Sequence, residues 1–161
     1  MGILNVTPDS FSGDGLDGRP EAAIARAKEM AAQGADILDI GGESTRPGAA
    51  SVSVEEEIRR VIPVLKQVAT EISIPISIDT YKSEVARQAL DCGASIINDV
   101  WGLKEDIELA SLAAERGVPI ILMHNQKGAA YKDMMAEVLA SLRWSVAQAI
   151  KAGVPAENII I

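Results

Sequence analysis

Short apolar runs alternate with longer amphipathic segments along the chain. The short runs are rich in isoleucine and almost continuously apolar, which is typical of parallel strands that are covered on both faces. Six of them predict strands, over 2–5, 36–40, 75–78, 95–98, 119–123 and 158–161. Because such strands need helices across their faces, we expect the longer segments to lie outside the sheet.

Five of the longer segments carry apolar residues at helical spacing, over 20–33, 54–72, 82–92, 106–116 and 134–152. Ser53 is the predicted N-cap of the second segment, because Glu56 follows it at the spacing of a capping box. Glycine follows four of the segments, where a left-handed residue lets the chain leave a helix: Gly34, Gly93, Gly117 and Gly153. No linker or repeat interrupts this alternation, which predicts one β/α array without an internal domain boundary.

Composition narrows the class of protein. Of the 161 residues, 48% are hydrophobic and 24% are charged, as in a folded globular chain. The formal net charge of -8 argues against a general nucleic-acid binder, because phosphate backbones require a basic face. Cys92 is the single cysteine and cannot form an internal disulfide. No apolar run is long enough to cross a membrane and no export signal is evident, so we expect a cytoplasmic protein.

Polar side chains follow five of the predicted strands, and in parallel β/α folds the functional groups gather at these carboxyl ends. Asp79 and Asn98 follow two apolar strands and could together hold a flat heterocycle with donor and acceptor groups on one edge, such as a pterin. For any single residue of this set, capping a helix or closing a turn is the alternative. The other members are Asn5, Thr7, Asp9, Ser10, Asp39, Glu43, Ser44, Thr45, Arg46, Thr80, Asp99, His124 and Asn125.

The segment 41–48 combines glycines, hydroxyl groups and a guanidinium, with Thr45 and Arg46 side by side. Groups of this kind can close around a phosphate or a diphosphate. Asn5 could supply an oxygen ligand to a Mg²⁺ ion that also carries the phosphates, since Mg²⁺ takes few protein ligands. A structural asparagine in a turn is the alternative for this residue.

Two stretches resemble the signature loops of the dihydropteroate synthase family. They are 2–12, GILNVTPDSFS, and 39–49, DIGGESTRPGA. The third, fourth and fifth strand ends, 78–80, 96–99 and 122–124, are also similar to those of the family, so the resemblance covers the chain in order. Family members are TIM barrels of the folate pathway. They join 6-hydroxymethyl-7,8-dihydropterin diphosphate to 4-aminobenzoate, which gives 7,8-dihydropteroate and diphosphate.

The resemblance therefore implies a transferase of α/β class, with small-molecule substrates and no nucleic-acid or membrane partner. Asn5 would bind Mg²⁺ and the diphosphate, and Thr45 and Arg46 would contact the diphosphate. Asp79 and Asn98 would hold the pterin. No residue is assigned as a catalytic acid or base. A full-length homodimer and sensitivity as a sulfonamide target are also expected from the family.

The same comparison places Met123 in the pterin pocket, and Phe11 and Pro47 around the aminobenzoate ring. Because a complete barrel needs about 250 residues, the chain is expected to be an incomplete TIM (β/α)8 barrel with about the first five β/α units plus the sixth strand. We expect residues 1–161 to be the amino-terminal part of one pterin-binding barrel domain, inactive alone and with an exposed apolar interior. A methyltetrahydrofolate methyltransferase and a noncatalytic pterin-binding module are the alternatives.

Overall fold

The computed structural model describes residues 1–7, 20–44, 50–128 and 130–161. Within these ranges, six strands alternate with five α-helices. The elements are β1 (Gly2–Asn5), α1 (Pro20–Ala32), β2 (Leu38–Gly41), α2 (Val54–Glu71), β3 (Ile76–Asp79), α3 (Ser83–Asp91), β4 (Ile96–Asp99), α4 (Glu108–Arg116), β5 (Ile120–Leu122), α5 (Met134–Ala152) and β6 (Ile159–Ile160). Each agrees with an element that the sequence predicts, apart from small shifts at the ends. A 3₁₀ turn over Ala156–Asn158 precedes β6.

The helix ends follow the chemistry expected of them. The Ser53 hydroxyl accepts a hydrogen bond from the Glu56 backbone N–H at 3.2 Å, so the predicted N-cap of α2 is confirmed. Gly117 and Gly153 close α4 and α5 with φ angles of 64° and 102°, in the left-handed region that favours glycine.

Cys92 lies at the end of α3 as a half-buried free cysteine. In the described ranges, no helix combines the length and the apolar character needed to cross a bilayer.

The strands form one parallel sheet in the order β1-β2-β3-β4-β5-β6. Successive side chains of a strand point to opposite faces of a sheet. The outer face is apolar and packs under the helices, and its buried members include Leu4, Ile40, Ile78, Ile97 and Ile120. Side chains of α2 and α4, among them Val61, Leu65, Leu109 and Leu112, complete this core.

The inner face of the sheet is only in part the apolar surface expected from the sequence. At its centre, Asp79 lies opposite Asn98 of β4 on one side and, on the other side, level with Asn5 of β1 across Gly41 of β2. Isoleucine side chains lie on the same face: Ile3 and Ile160, on the two edge strands, are 58% and 44% exposed, whereas Ile96 on β4 is 7% exposed. The expectation of an apolar interior is therefore only partly right, because polar residues of β1 to β4 share this face with the isoleucines.

Candidate functional site

A cavity of about 330 Å³ opens on the inner face, beside the carboxyl ends of β1 to β4. Three of its lining residues are apolar, namely Met1, Ile3 and Val100. The others are polar or acidic: Asn5, Thr7, Asp39, Glu43, Ser44, Asp79 and Asn98. A concave site with a few convergent polar groups is typical of small-molecule binding.

Strand register brings the polar groups of the cavity together. Asp79 ends β3 and Asn98 lies opposite it on β4, so the two side chains leave the same face of the sheet as neighbours. Gly41 separates Asp79 from Asn5 in the same row. A Cβ atom at Gly41 would lie 3.3 Å from both Cβ and Oδ2 of Asp79, so glycine leaves room for this carboxyl group.

Asp39 lies one layer below this row and is 4% exposed. Its Oδ2 accepts a hydrogen bond from Asn98 Nδ2 at 3.1 Å. This bond fixes which end of the Asn98 amide faces Asp39. Burial raises the pKa of Asp39, and the neighbouring Ser77 and Asn98 side chains only partly offset that effect. Asp39 therefore orients Asn98, a relation that the sequence pattern did not show.

The Asp79 carboxyl group has the most perturbed acidity in the cavity. Burial, followed by the negative charges of Asp39, Glu57, Asp99 and Glu43, raises the pKa of Asp79 to about 8. Its Oδ1 atom is buried and has no hydrogen-bond partner among the described residues. A buried acceptor that lacks a partner is energetically costly, and a ligand with N–H donors would satisfy it.

Several other strand-end residues have structural roles. Asp99 accepts hydrogen bonds from the backbone N–H groups of Trp101 and Leu103, at 2.8 and 2.6 Å, and so closes the turn after β4. Asn125 Oδ1 accepts from the N–H of Gln126 at 2.8 Å. His124 Nε2 lies 3.1 Å from the Tyr131 hydroxyl, outside the cavity lining. For Asp99 and Asn125, the structure therefore shows the alternative that the sequence left open, in which the side chain stabilises a turn.

Three of the predicted site residues, Asn5, Asp79 and Asn98, line the cavity together. Met123 follows β5, is 46% exposed and is not part of this lining, so its role in a pterin pocket stays a prediction. The other predicted positions lie outside the described residues: Phe11, Thr45, Arg46 and Pro47. The site assignments from the sequence had left out Thr7, Asp39, Glu43 and Ser44, although all four are in the set of polar residues near strand ends.

A family model described as "Pterin binding enzyme" matches residues 1–161, the whole of the chain. The chain belongs to this family of pterin-binding enzymes. Among curated relatives, the dihydropteroate synthase of Bacillus subtilis is 55% identical over 161 residues, which are 100% of this chain and 56% of the relative. That of Clostridium beijerinckii is 51% identical over 100% of this chain and 60% of the relative. The chain thus spans somewhat more than half the length of these pterin-binding enzymes.

Solved structures of the family have the same fold. A Clostridium difficile dihydropteroate synthase, determined in the presence of pteroic acid, superposes with a TM-score of 0.92 at 52% identity, over 99% of this chain and 61% of that one. A Xanthomonas albilineans dihydropteroate synthase with 4-aminobenzoic acid gives a TM-score of 0.90 at 46% identity, over 99% and 58%. The predicted α/β fold class, part of a TIM barrel, is confirmed.

Proposed function

We propose that these residues form the pterin-binding and diphosphate-binding part of a dihydropteroate synthase. The enzyme joins 6-hydroxymethyl-7,8-dihydropterin diphosphate to 4-aminobenzoate and releases diphosphate. The family match, together with relatives of that name at 50–55% identity, supports this activity. A related Xanthomonas albilineans enzyme is described in complex with 7,8-dihydropteroate.

The observation that carries the proposal is the group formed by Asp79, Asn98 and Asp39. A pterin presents adjacent N–H donors and ring acceptors along one edge. An ionised Asp79 carboxylate can accept two such N–H groups, while the Asn98 amide, oriented by Asp39, offers both a donor and an acceptor. Because these ligand donors favour the anion, pterin binding should lower the pKa of Asp79 from about 8 and release a proton at neutral pH.

The cavity also fits a magnesium ion that accompanies a diphosphate. Asn5 and Thr7 contribute neutral side-chain oxygens to a lining that also contains Asp39 and Glu43, and oxygen is the ligand that Mg²⁺ prefers. In the described part of the chain, no group of three or more His, Cys, Asp and Glu side chains is placed to hold a metal. We propose Asn5 as the protein ligand of this ion, in line with the resemblance to the family. Bound Mg²⁺ would supply charge neutralisation of the diphosphate.

The remaining assignments complete this proposal on the strength of the resemblance alone. Thr45 and Arg46 contact the diphosphate, Phe11 and Pro47 pack around the aminobenzoate ring, and Met123 borders the pterin. We further propose a cytoplasmic homodimer that sulfonamides inhibit.

The experiment measures diphosphate release from the pterin diphosphate, with 4-aminobenzoate and Mg²⁺ present. It compares the 161-residue polypeptide with the product of the complete reading frame that contains these residues, called the complete gene product below. We expect release only from the complete gene product and a severe loss in Asp79→Ala. Asp91→Ala is the matched control, because Asp91 lies on the surface and pairs with Arg116. If neither protein releases diphosphate, the proposed function is refuted. If the complete gene product binds the pterin without releasing diphosphate, a noncatalytic module is favoured.

A further inference from the structure

Lys82, at the start of α3, contacts three residues that precede it by 25 to 39 positions in the chain, and it does so beside the cavity. Its Nζ atom donates to Glu43 Oε2 at 2.5 Å, to Glu57 Oε2 at 2.5 Å and to the Val52 carbonyl oxygen at 2.7 Å. The side chains of Lys82, Glu43 and Glu57 are 13%, 10% and 1% exposed. Lys82 therefore links the segment after β2, the segment before α2 and the first turn of α2.

Glu43 is held at both of its carboxylate oxygens. While Oε2 accepts from Lys82, Oε1 accepts from the Tyr81 hydroxyl at 2.8 Å. The backbone just before it is also fixed, since Arg60 Nη1 donates to the Gly42 carbonyl oxygen at 3.1 Å. Glu43 and its neighbour Ser44 line the cavity, so this network sets the position of one cavity wall.

The charges of the network are unequal in number, with one ammonium between two carboxyl groups. Burial lowers the pKa of Lys82, but its hydrogen bonds to Glu43 and Glu57, together with the negative charges of these two groups, outweigh burial and raise the pKa overall. Burial raises the pKa of Glu57 despite its bond to Lys82. Lys82 therefore stays charged, and Glu57 takes up a proton more readily than an ordinary glutamate. With Lys82 present, the Glu43 carboxylate does not face the cavity as an uncompensated anion.

This compensation bears on the anionic end of the substrate. Glu43, Asp39 and Asp79 all line the cavity, and no Lys or Arg side chain lines it among the residues that the structure describes. An uncompensated carboxylate repels a diphosphate, and the repulsion is strong where water is excluded. We propose that Lys82 is a positioning residue of this site, which holds the Glu43 carboxylate in an ion pair directed toward Lys82, so that the cavity accepts a diphosphate. The inference rests on the proposed function and deepens it.

The test uses the complete gene product and two separate ligands. Calorimetry measures the Kd of inorganic diphosphate in the presence of Mg²⁺, and the Kd of 6-hydroxymethylpterin, which lacks the diphosphate. In Lys82→Met we expect diphosphate binding to weaken by about tenfold or more, and pterin binding to change by less than about twofold. Lys66→Met is the matched control, because Lys66 is an exposed lysine of α2, and both Kd values should stay unchanged.

Rescue distinguishes the positioning role from general damage to the fold. Adding Glu43→Gln to Lys82→Met removes the uncompensated carboxylate, so most of the lost diphosphate affinity should return. If Lys82→Met does not fold, Tyr81→Phe removes a single hydrogen bond to Glu43 and should weaken diphosphate binding selectively, by about threefold.

The outcomes separate this inference from the function on which it rests. Equal weakening of both ligands, unchanged diphosphate binding in Lys82→Met or in its Tyr81→Phe substitute, or failure of Glu43→Gln to rescue would overturn the role of Lys82 while the function stands. A wild-type protein that binds neither ligand overturns the proposed function and the role of Lys82 with it.

Discussion

Replacing Asp79 by asparagine should stabilise the fold while it abolishes pterin binding. The pKa of Asp79 is about 8 in the folded protein, compared with 3.8 as the ordinary value. The folded protein thus holds a proton that the unfolded chain has released. The unfolding free energy that this bound proton contributes is fully present below the ordinary pKa of 3.8. It is lost as the pH rises through the folded pKa of about 8, at about 1.4 kcal/mol per pH unit. At about pH 7, the unfolding free energy lost in this way is roughly 4 kcal/mol, which is an upper bound for the unfolding free energy that Asp79→Asn gains.

Urea unfolding of the complete gene product, from about pH 5 to about pH 9, measures this gain. Wild-type unfolding free energy should fall across the range, whereas Asp79→Asn should be more stable near neutrality and depend less on pH. Asp91→Asn controls for the removal of an exposed carboxyl group, and its pH profile should follow the wild type. Parallel pH profiles for Asp79→Asn and wild type, or an Asp79→Asn protein that is the less stable of the two near neutrality, would refute the reasoning.

Three further substitutions test other parts of the site and fold. Asp39→Ala frees the Asn98 amide to turn and should weaken pterin binding by about tenfold in calorimetry, and an unchanged Kd would contradict the orienting role. Gly42→Ala places a Cβ 2.5 Å from a methyl carbon of Val61 and should cost about 1–3 kcal/mol in urea unfolding; full stability would show that α2 shifts freely. Ser53→Ala removes the α2 cap and should cost about 1 kcal/mol, and no loss would mean that solvent replaces the bond.

The hydrophobic periodicity of the sequence was sufficient to predict the strands and α-helices of the fold. Continuous isoleucine runs and helical spacing predicted every strand and α-helix described, because these patterns follow from burial on one face or on both faces. The short 3₁₀ turn before β6 was not predicted. Gly117 and Gly153 marked helix ends for a local steric reason that is visible in sequence. Asp79 and Asn98 were predicted as site residues because they lie near the ends of apolar strands, where parallel folds gather their polar groups, and both line the cavity.

The rest of the site depends on contacts that sequence spacing does not encode. Asp39 lies inside a strand between apolar residues, and only the register shows that it faces the same side as Asn98. Lys82 meets Glu43 across 39 positions of the chain. Their approach results from the packing of α2 and α3 against the sheet. A charge pattern read along one helix cannot reveal such a pair.

The strictly sequential strand order has a consequence for synthesis. Each strand from β2 to β6 pairs with the strand made just before it, and each helix from α2 to α5 packs on its predecessor. Translation adds about 5–20 residues per second, whereas helices and short loops form within microseconds. A βα unit that leaves the ribosome therefore meets a neighbour that is already available to receive it. Asp79 and Asn98 lie on the adjacent strands β3 and β4, so the centre of the site can assemble on the nascent chain before α5 has been translated.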